Sequence, residues 1–196
     1  LKILPLQYSS DKIAEISDVC IYRNGKIISG PVSFTINKGD RIALCGKNGS
    51  GKSSLLKLLA GQTIEHSGKM TTGSGMILSY VPQDASGVQG SLRDLARKSG
   101  IEESLLKTLL SKLGLHKIQF EKDMQNLSDG QKKKVLLAKS LCERAHLYIW
   151  DEPLNFIDIY SRIQLEELIN SASPTIVFAE HDETFRNAIG AKTIEL

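Results

Sequence analysis

Eight residues, GKNGSGKS at Gly46–Ser53, constrain this chain more than any other stretch. Gly46, Gly51, Lys52 and Ser53 follow the order glycine, four residues, glycine, lysine, hydroxyl, which is the composition of a phosphate cradle. Glycines let the backbone curl so that successive N–H groups point inward, and a following helix adds the positive end of its dipole. In such a cradle Lys52 reaches the β- and γ-phosphates and the Ser53 hydroxyl ligates Mg²⁺. The flanks agree. RIALC (Arg41–Cys45) reads as the strand entering the turn, and SSLLKLLAG (Ser53–Gly61) as a helix leaving it, closed by a C-terminal glycine.

The 196 residues, 41% hydrophobic, are enough for one ample domain with a small subdomain. A net charge of +3 permits a polyanionic partner without arguing for one. No apolar run approaches the roughly 18 residues of a membrane span, so no direct membrane insertion is expected and a membrane role would need another subunit. Cys20, Cys45 and Cys142 are odd in number, widely spaced and set among apolar neighbours. They read as small core residues in a reducing cytoplasm, not as ligands or disulfides. No secretory signal precedes Leu1, and a start without Met is what a piece cut from a longer polypeptide would show.

Residues 1–10 read as a tail or linker remnant and residues 11–196 as the domain. Lys12–Ile36 alternates apolar and polar residues around Asn24–Gly25, a hairpin signal that puts an antiparallel β region ahead of the cradle. After the first helix, His66–Gly75 is rich in Gly, Ser and Thr, and Met76–Val81 reads as a strand ending at Pro82. The texture then turns helical, marking a helical subdomain at about residues 84–140. Within it Glu102–Leu113 carries Leu105, Leu106, Leu109, Leu110 and Leu113 on one face, stopped by Gly114. Ser128–Glu143 and Ile159–Ser171 read as helices, Leu147–Trp150 and Thr175–Ala179 as buried strands, and Lys192–Leu196 as an edge strand. Continuous apolar strands separated by helices imply an α/β fold with a mostly parallel sheet covered on both faces.

A second set of chemical groups sits at the strand ends. LYIWDEP (Leu147–Pro153) delivers Asp151 and Glu152 directly after an apolar strand. One carboxylate there helps hold Mg²⁺ and the other activates an attacking water, which is what nucleotide hydrolysis needs. Ser128 in LSDGQ (Leu127–Gln131) is a good N-cap residue; the sharper reading makes this helix end a second anion site. His181 follows TIVFAE at another strand exit, where it could hydrogen-bond a γ-phosphate. Lys132–Lys134 reads first as a solvated helix face, with an rRNA backbone contact as the minor alternative.

Together these motifs resemble the nucleotide-binding domain of ABC ATPases, over nearly the whole chain. GKNGSGKS looks like Walker A, Gln83 like the Q-loop residue and LSDGQ like the signature; LYIWDE looks like Walker B, Asp158 like the D-loop residue and His181 like the switch histidine. The resemblance implies a P-loop fold of the ABC type and a head-to-tail pair of such domains, with ATP between Walker A of one and the signature of the other. Gly46, Lys47, Asn48, Gly49, Ser50, Gly51, Lys52, Ser53 and Ser54 would hold the phosphates. Ser53, Gln83 and Asp151 would take Mg²⁺, Glu152 and His181 would be catalytic, and Ser128, Gly130 and Gln131 would serve the partner's nucleotide. Tyr22 would stack on adenine, with Tyr8 the alternative. Hydrolysis by the isolated domain would be slow.

Asp151–Asp158 (DEPLNFID) further resembles the DEPTNHLD run of ABC-F proteins, and His181–Phe185 their HDxxF ending. Those proteins carry two ATPase domains in one chain and act on the ribosome. LSDGQKKKVLLAKSL followed by IWDEPLNFID looks most like the antibiotic-resistance members, of which this chain would be the second domain. The alternative is the ATP-binding subunit of a membrane transporter; Phe120–Asn126 (FEKDMQN) lacks the acidic, glycine-containing segment of exporters. A third reading is a switch driven by ATP-dependent closure. Asp129 stands where the signature usually has glycine, Leu154 and Phe156 replace Thr and His of the ABC-F run, and Glu180 replaces a frequent Ser.

Overall fold

The computed structural model describes Ile3 and residues 5–196. Leu1, Lys2 and Leu4, part of the expected tail, lie outside the described residues. Alternation across Asn24–Gly25 folds as read, with β1 (Lys12–Arg23) and β2 (Lys26–Asn37) antiparallel. Asn24 and Gly25 take φ of 51° and 71°, the paired positive values of a tight hairpin turn. Along β1 the alternation changes phase at a register shift: Ala14 and Ile16 are buried before it, Val19 and Ile21 after it. The irregularity keeps one face of the strand on the core.

The Gly-, Ser- and Thr-rich stretch, to which the sequence assigned no element, contains β4 (His66–Thr72), which pairs with β1 and completes an antiparallel sheet of order β2-β1-β4. Its side chains are nearly all exposed, so it has no apolar stripe to read; backbone pairing holds it.

The second sheet has five strands, all parallel: β3 (Arg41–Cys45), β5 (Leu78–Val81), β6 (Leu147–Asp151), β7 (Ile176–Ala179) and β8 (Lys192–Glu195). Their order is β5-β6-β7-β3-β8, so Lys192–Glu195 forms an edge as expected. The pleat sorts each central strand between two cores. Ile42, Leu44, Leu147, Ile149, Val177 and Ala179 face α1 (Lys52–Leu59) and the antiparallel sheet. Ala43, Cys45, Tyr148, Trp150, Ile176 and Phe178 face the opposite apolar cluster. That cluster takes in α2 (Leu92–Ser99), α3 (Glu103–Lys112), α4 (Asp129–Cys142), α5 (Ile159–Ala172) and α6 (Glu183–Ala188). Covering on both faces is why these strands read as unbroken apolar runs.

The leucine stripe of α3 packs as read, with Leu106, Leu109 and Leu110 buried. One buried polar chain fixes α4 on the sheet: Trp150 Nε1 donates to Ser140 Oγ (2.8 Å), which meets Ser79 Oγ of β5 at 2.6 Å. The six-residue α6 was not anticipated; Asp182 caps it by accepting from Phe185 N–H at 2.8 Å. Cys45 and Cys142 are buried free thiols, as read. Among the described residues no helix is long and apolar enough to cross a membrane.

Candidate functional site

Because the strands are parallel, β3, β5, β6 and β7 all deliver their carboxyl ends to one edge, with β7 between β3 and β6. β3 feeds the cradle. Gly46, Gly49 and Gly51 take φ of 139°, 84° and 93°, a region in which side chains are strained. A Cβ on Gly51 would also sit 2.7 Å from Ser29 Cβ on β2. Gly51 is the N-cap of α1 and has no side chain to cap it, so the first N–H groups of α1 lack intrahelical acceptors. Lys52 is buried, and its Nζ donates to the carbonyls of Gly46 (2.8 Å) and Lys47 (3.0 Å), which lays the ammonium across the loop. Beside the loop lies a cleft of about 470 Å³ lined by Asn48, Gly49, Gly51, Lys52, Ser53, Ser54, Gln83 and Glu152, together with Arg23 and Lys57.

The end of β6 carries two carboxylates in different states: Glu152 lines this cleft, and Asp151 meets it through Ser53. Asp151 is 1% exposed; its Oδ1 accepts from Ser53 Oγ at 3.0 Å, and its Oδ2 has no hydrogen-bond partner. Burial raises its proton affinity, the Ser53 hydrogen bond opposes that, and the neighbouring Glu152 charge adds to it. Burial and the Asp151 charge likewise push the Tyr80 phenol up to about 12. Glu152 takes φ 46°, uncommon for a residue with a side chain. The turn aims its carboxylate outward, where Oε2 accepts from Gln83 Nε2 (2.9 Å) and from Asn155 Nδ2. Backbone held in such a region marks a position that its surroundings over-determine.

This donor set fits a magnesium-bound triphosphate. Ser53 Oγ and the orphaned Asp151 Oδ2 are hard oxygen donors, and Lys52 and the α1 terminus supply positive charge. Among the described residues no three His, Cys, Asp or Glu side chains gather into a cage. Magnesium held by one carboxylate and substrate phosphates needs none.

Other expected site residues lie elsewhere. Tyr22 is not among the residues lining the cleft; its hydroxyl meets Ser67 Oγ of β4 at 3.3 Å, while Arg23, on the Ile21 side of the pleat, reaches the cleft. Tyr8 packs edge-to-face on His146, and its hydroxyl donates to Ser74 O (2.8 Å). Ser128 and Gln131 close a reciprocal capping box: Gln131 N–H donates to Ser128 Oγ (3.3 Å) and Ser128 N–H to Gln131 Oε1 (3.1 Å). Gly130 has a packing requirement of its own, since a Cβ there would meet Phe156 O at 2.4 Å. His181 is exposed at the exit of β7, outside the lining of the cleft, and its N–H donates to Glu180 Oε1 (2.8 Å).

The solvated-face reading of Lys132–Lys134 is corrected. Lys133 is 1% exposed and Lys134 is buried. Lys133 Nζ donates to Pro82 O (2.8 Å), Gln83 O (3.3 Å) and Asp151 O (2.8 Å). Burial pushes its ammonium down to about 8, against the attraction of Asp151, Glu152, Glu180 and Asp84. Lys134 Nζ donates to Asp158 Oδ2 at 2.6 Å, joining α4 to the cap of α5. Three consecutive lysines look solvated by composition; only the angle at which α4 meets the strand ends turns two of them inward. Glu180 was also missed: its carboxylate accepts from Leu154 N–H (3.2 Å), His181 N–H (2.8 Å) and Asp182 N–H (3.1 Å), tying the exits of β6 and β7 together.

A glycine-rich strand-to-helix turn with lysine and hydroxyl at its end, faced by a buried acid two strands away, defines an α/β P-loop nucleotide-binding protein. The sequence pattern of the ABC transporter family matches residues 30–155. The chain belongs to the ABC ATPase family. It is 30% identical over 184 residues to the ATP-binding protein Uup of Escherichia coli, covering 88% of this chain and 28% of that protein. It is 31% identical over 193 residues to the zinc import ATP-binding protein ZnuC of Vibrio cholerae, covering 94% of this chain and 72% of that protein. A solved ATP-binding subunit of an ABC transporter superposes with a TM-score of 0.74 at 22% identity, over 94% of this chain and 85% of that one. YdiF of Bacillus subtilis is 31% identical, and the chain spans 30% of its length, as it spans under a third of Uup. As a family member the chain is an ATPase that takes ATP with Mg²⁺, and such domains work in pairs.

Proposed function

We propose that this domain is one half of a head-to-tail ATPase pair powering an ABC-F factor that acts on the ribosome and confers antibiotic resistance. Gly46–Ser54 hold the phosphates, with Lys52 supplying charge and Ser53, Gln83 and Asp151 holding the metal. When bound, Mg²⁺ neutralises phosphate charge and polarises the group transferred. Glu152 accepts a proton from water: Gln83 and Asn155 both donate to Oε2, which fixes the carboxylate while Oε1 takes no hydrogen bond from the described residues. His181 faces the same edge from β7, and Ser128, Gly130 and Gln131 complete the partner's site. The base rests beside the hairpin end that carries Tyr22 and Arg23.

The ribosomal reading rests on one observation, the Asp151–Asp158 run. Beyond the two acids, its retained polar residues are both in use: Asn155 donates to Glu152, and Asp158 caps α5. Likeness to ZnuC supports a second reading, the ATP-binding component of a membrane transporter. Glu152→Gln in the full-length polypeptide separates them. Turnover should drop by about 100-fold or more with ATP still bound, and the trapped protein should sediment with ribosomes in ATP but not in ADP. Absence from the ribosome pellet, together with recovery in a complex with a membrane-spanning subunit, would favour transport instead.

A further inference from the structure

β5 ends at Val81, just before Pro82, and the β5–β6 ladder stops at the Val81–Trp150 pair. Beyond that pair the main-chain oxygens of Pro82, Gln83 and Asp151 converge on one side chain, Lys133 of α4. From α4 its Nζ donates to Pro82 O (2.8 Å), Gln83 O (3.3 Å) and Asp151 O (2.8 Å). An ammonium has three protons, and each here is spent on one main-chain oxygen. Just beyond this clip the side chains of the same two segments meet, Gln83 Nε2 donating to Glu152 Oε2 at 2.9 Å. The main chain of both segments behind that contact is therefore joined through one side chain, Lys133.

We propose that Lys133 is a positioning residue for hydrolysis: it sets the separation of the Gln83 loop from the Glu152 turn. It is not among the residues lining the cleft beside the loop 46–51, so it acts through the residues it holds. The inference rests on the roles proposed above for Gln83 and Glu152. Lys133 also stands one turn in from the Ser128 cap of α4, so a displacement of that helix start is passed directly to the Gln83–Glu152 contact.

Lys133→Met keeps most of the apolar stem and removes all three donors; Lys133→Gln keeps two on a shorter stem. Both are assayed in the full-length polypeptide for ATP affinity, turnover and the Mg²⁺ concentration giving half-maximal rate. For Lys133→Met we expect ATP affinity within threefold of the parent, turnover down at least fivefold, and half-saturating Mg²⁺ up at least threefold, with Lys133→Gln intermediate. A smaller loss of turnover, or ATP affinity falling as far as turnover, overturns the assignment. If Lys133→Met does not fold, Lys133→Gln is judged by the same thresholds, and failure of both to fold identifies a purely structural lysine and overturns it as well. Glu152→Gln run alongside keeps the two readings apart. If that variant hydrolyses ATP at the parent rate, the roles given to Gln83 and Glu152 fail, whatever Lys133→Met does.

Discussion

Lys52 shows how one side chain can be fixed by the loop it serves. Its ammonium is held by the carbonyls of Gly46 and Lys47, and so it lies over the turn rather than in solvent. Hydrogen bonds to a charged group contribute about 1.5–3 kcal/mol, which is about ten- to a hundredfold in affinity. Lys52→Ala should weaken ATP binding by that factor in a nucleotide titration; unchanged affinity would remove the cradle from the argument. Gly130 carries the opposite lesson. The motif reading gave it to a partner's nucleotide, yet its missing side chain is already required by Phe156 O within the same chain. A residue type can thus answer to two demands, and spacing in the sequence reveals only one.

Among the elements, the joint between α4 and α5 depends on a charge. Asp158 accepts from Lys134 Nζ (2.6 Å), Ser161 N–H (2.9 Å) and Ser161 Oγ (2.8 Å) at the start of α5. Burial alone would raise its proton affinity, but the Lys134 and Ser161 hydrogen bonds outweigh that and hold it well below the usual carboxylate range. The sign follows: as pH falls below about 4, the unfolded chain takes up the proton first and the folded state loses stability. Asp158 is half exposed, with 54% of its side-chain surface accessible, so solvent screening keeps the pair small. Lys134→Met should cost about 1 kcal/mol at pH 7 and less at pH 3, read from urea unfolding at both. An equal cost at the two pH values would mean that the pair is not responsible. The periodicity of α4 and α5 was legible from their apolar positions, whereas this link between them was not, because no local pattern pairs a helix interior with another helix's cap.

The whole molecule is a parallel sheet between two apolar clusters, with every functional strand end on one edge. The P-loop and the α4 start both belong to this chain, but the Ser128–Gln131 turn does not line the cleft beside the loop 46–51. Two chains head to tail would bring one to the other. Turnover per chain should accordingly rise with protein concentration before reaching a plateau, as measured over about a hundredfold range. Turnover independent of concentration throughout would point to a chain that hydrolyses ATP unpaired.

The sequence by itself determined the cradle, the acids at the end of β6, the hairpin and most of the strands and helices, β4 and α6 excepted. Each is written in neighbouring residues: glycines for positive φ, period-two or continuous apolar runs for strands, a hydroxyl at a cap. Only the tertiary structure decided that β4 pairs with β1, that Arg23 rather than Tyr22 lines the cleft, and that Lys133 is buried on three carbonyls. Those outcomes depend on groups far apart in the chain, and a polar side chain goes inward only where such groups converge to replace the hydrogen bonds it gives up to water.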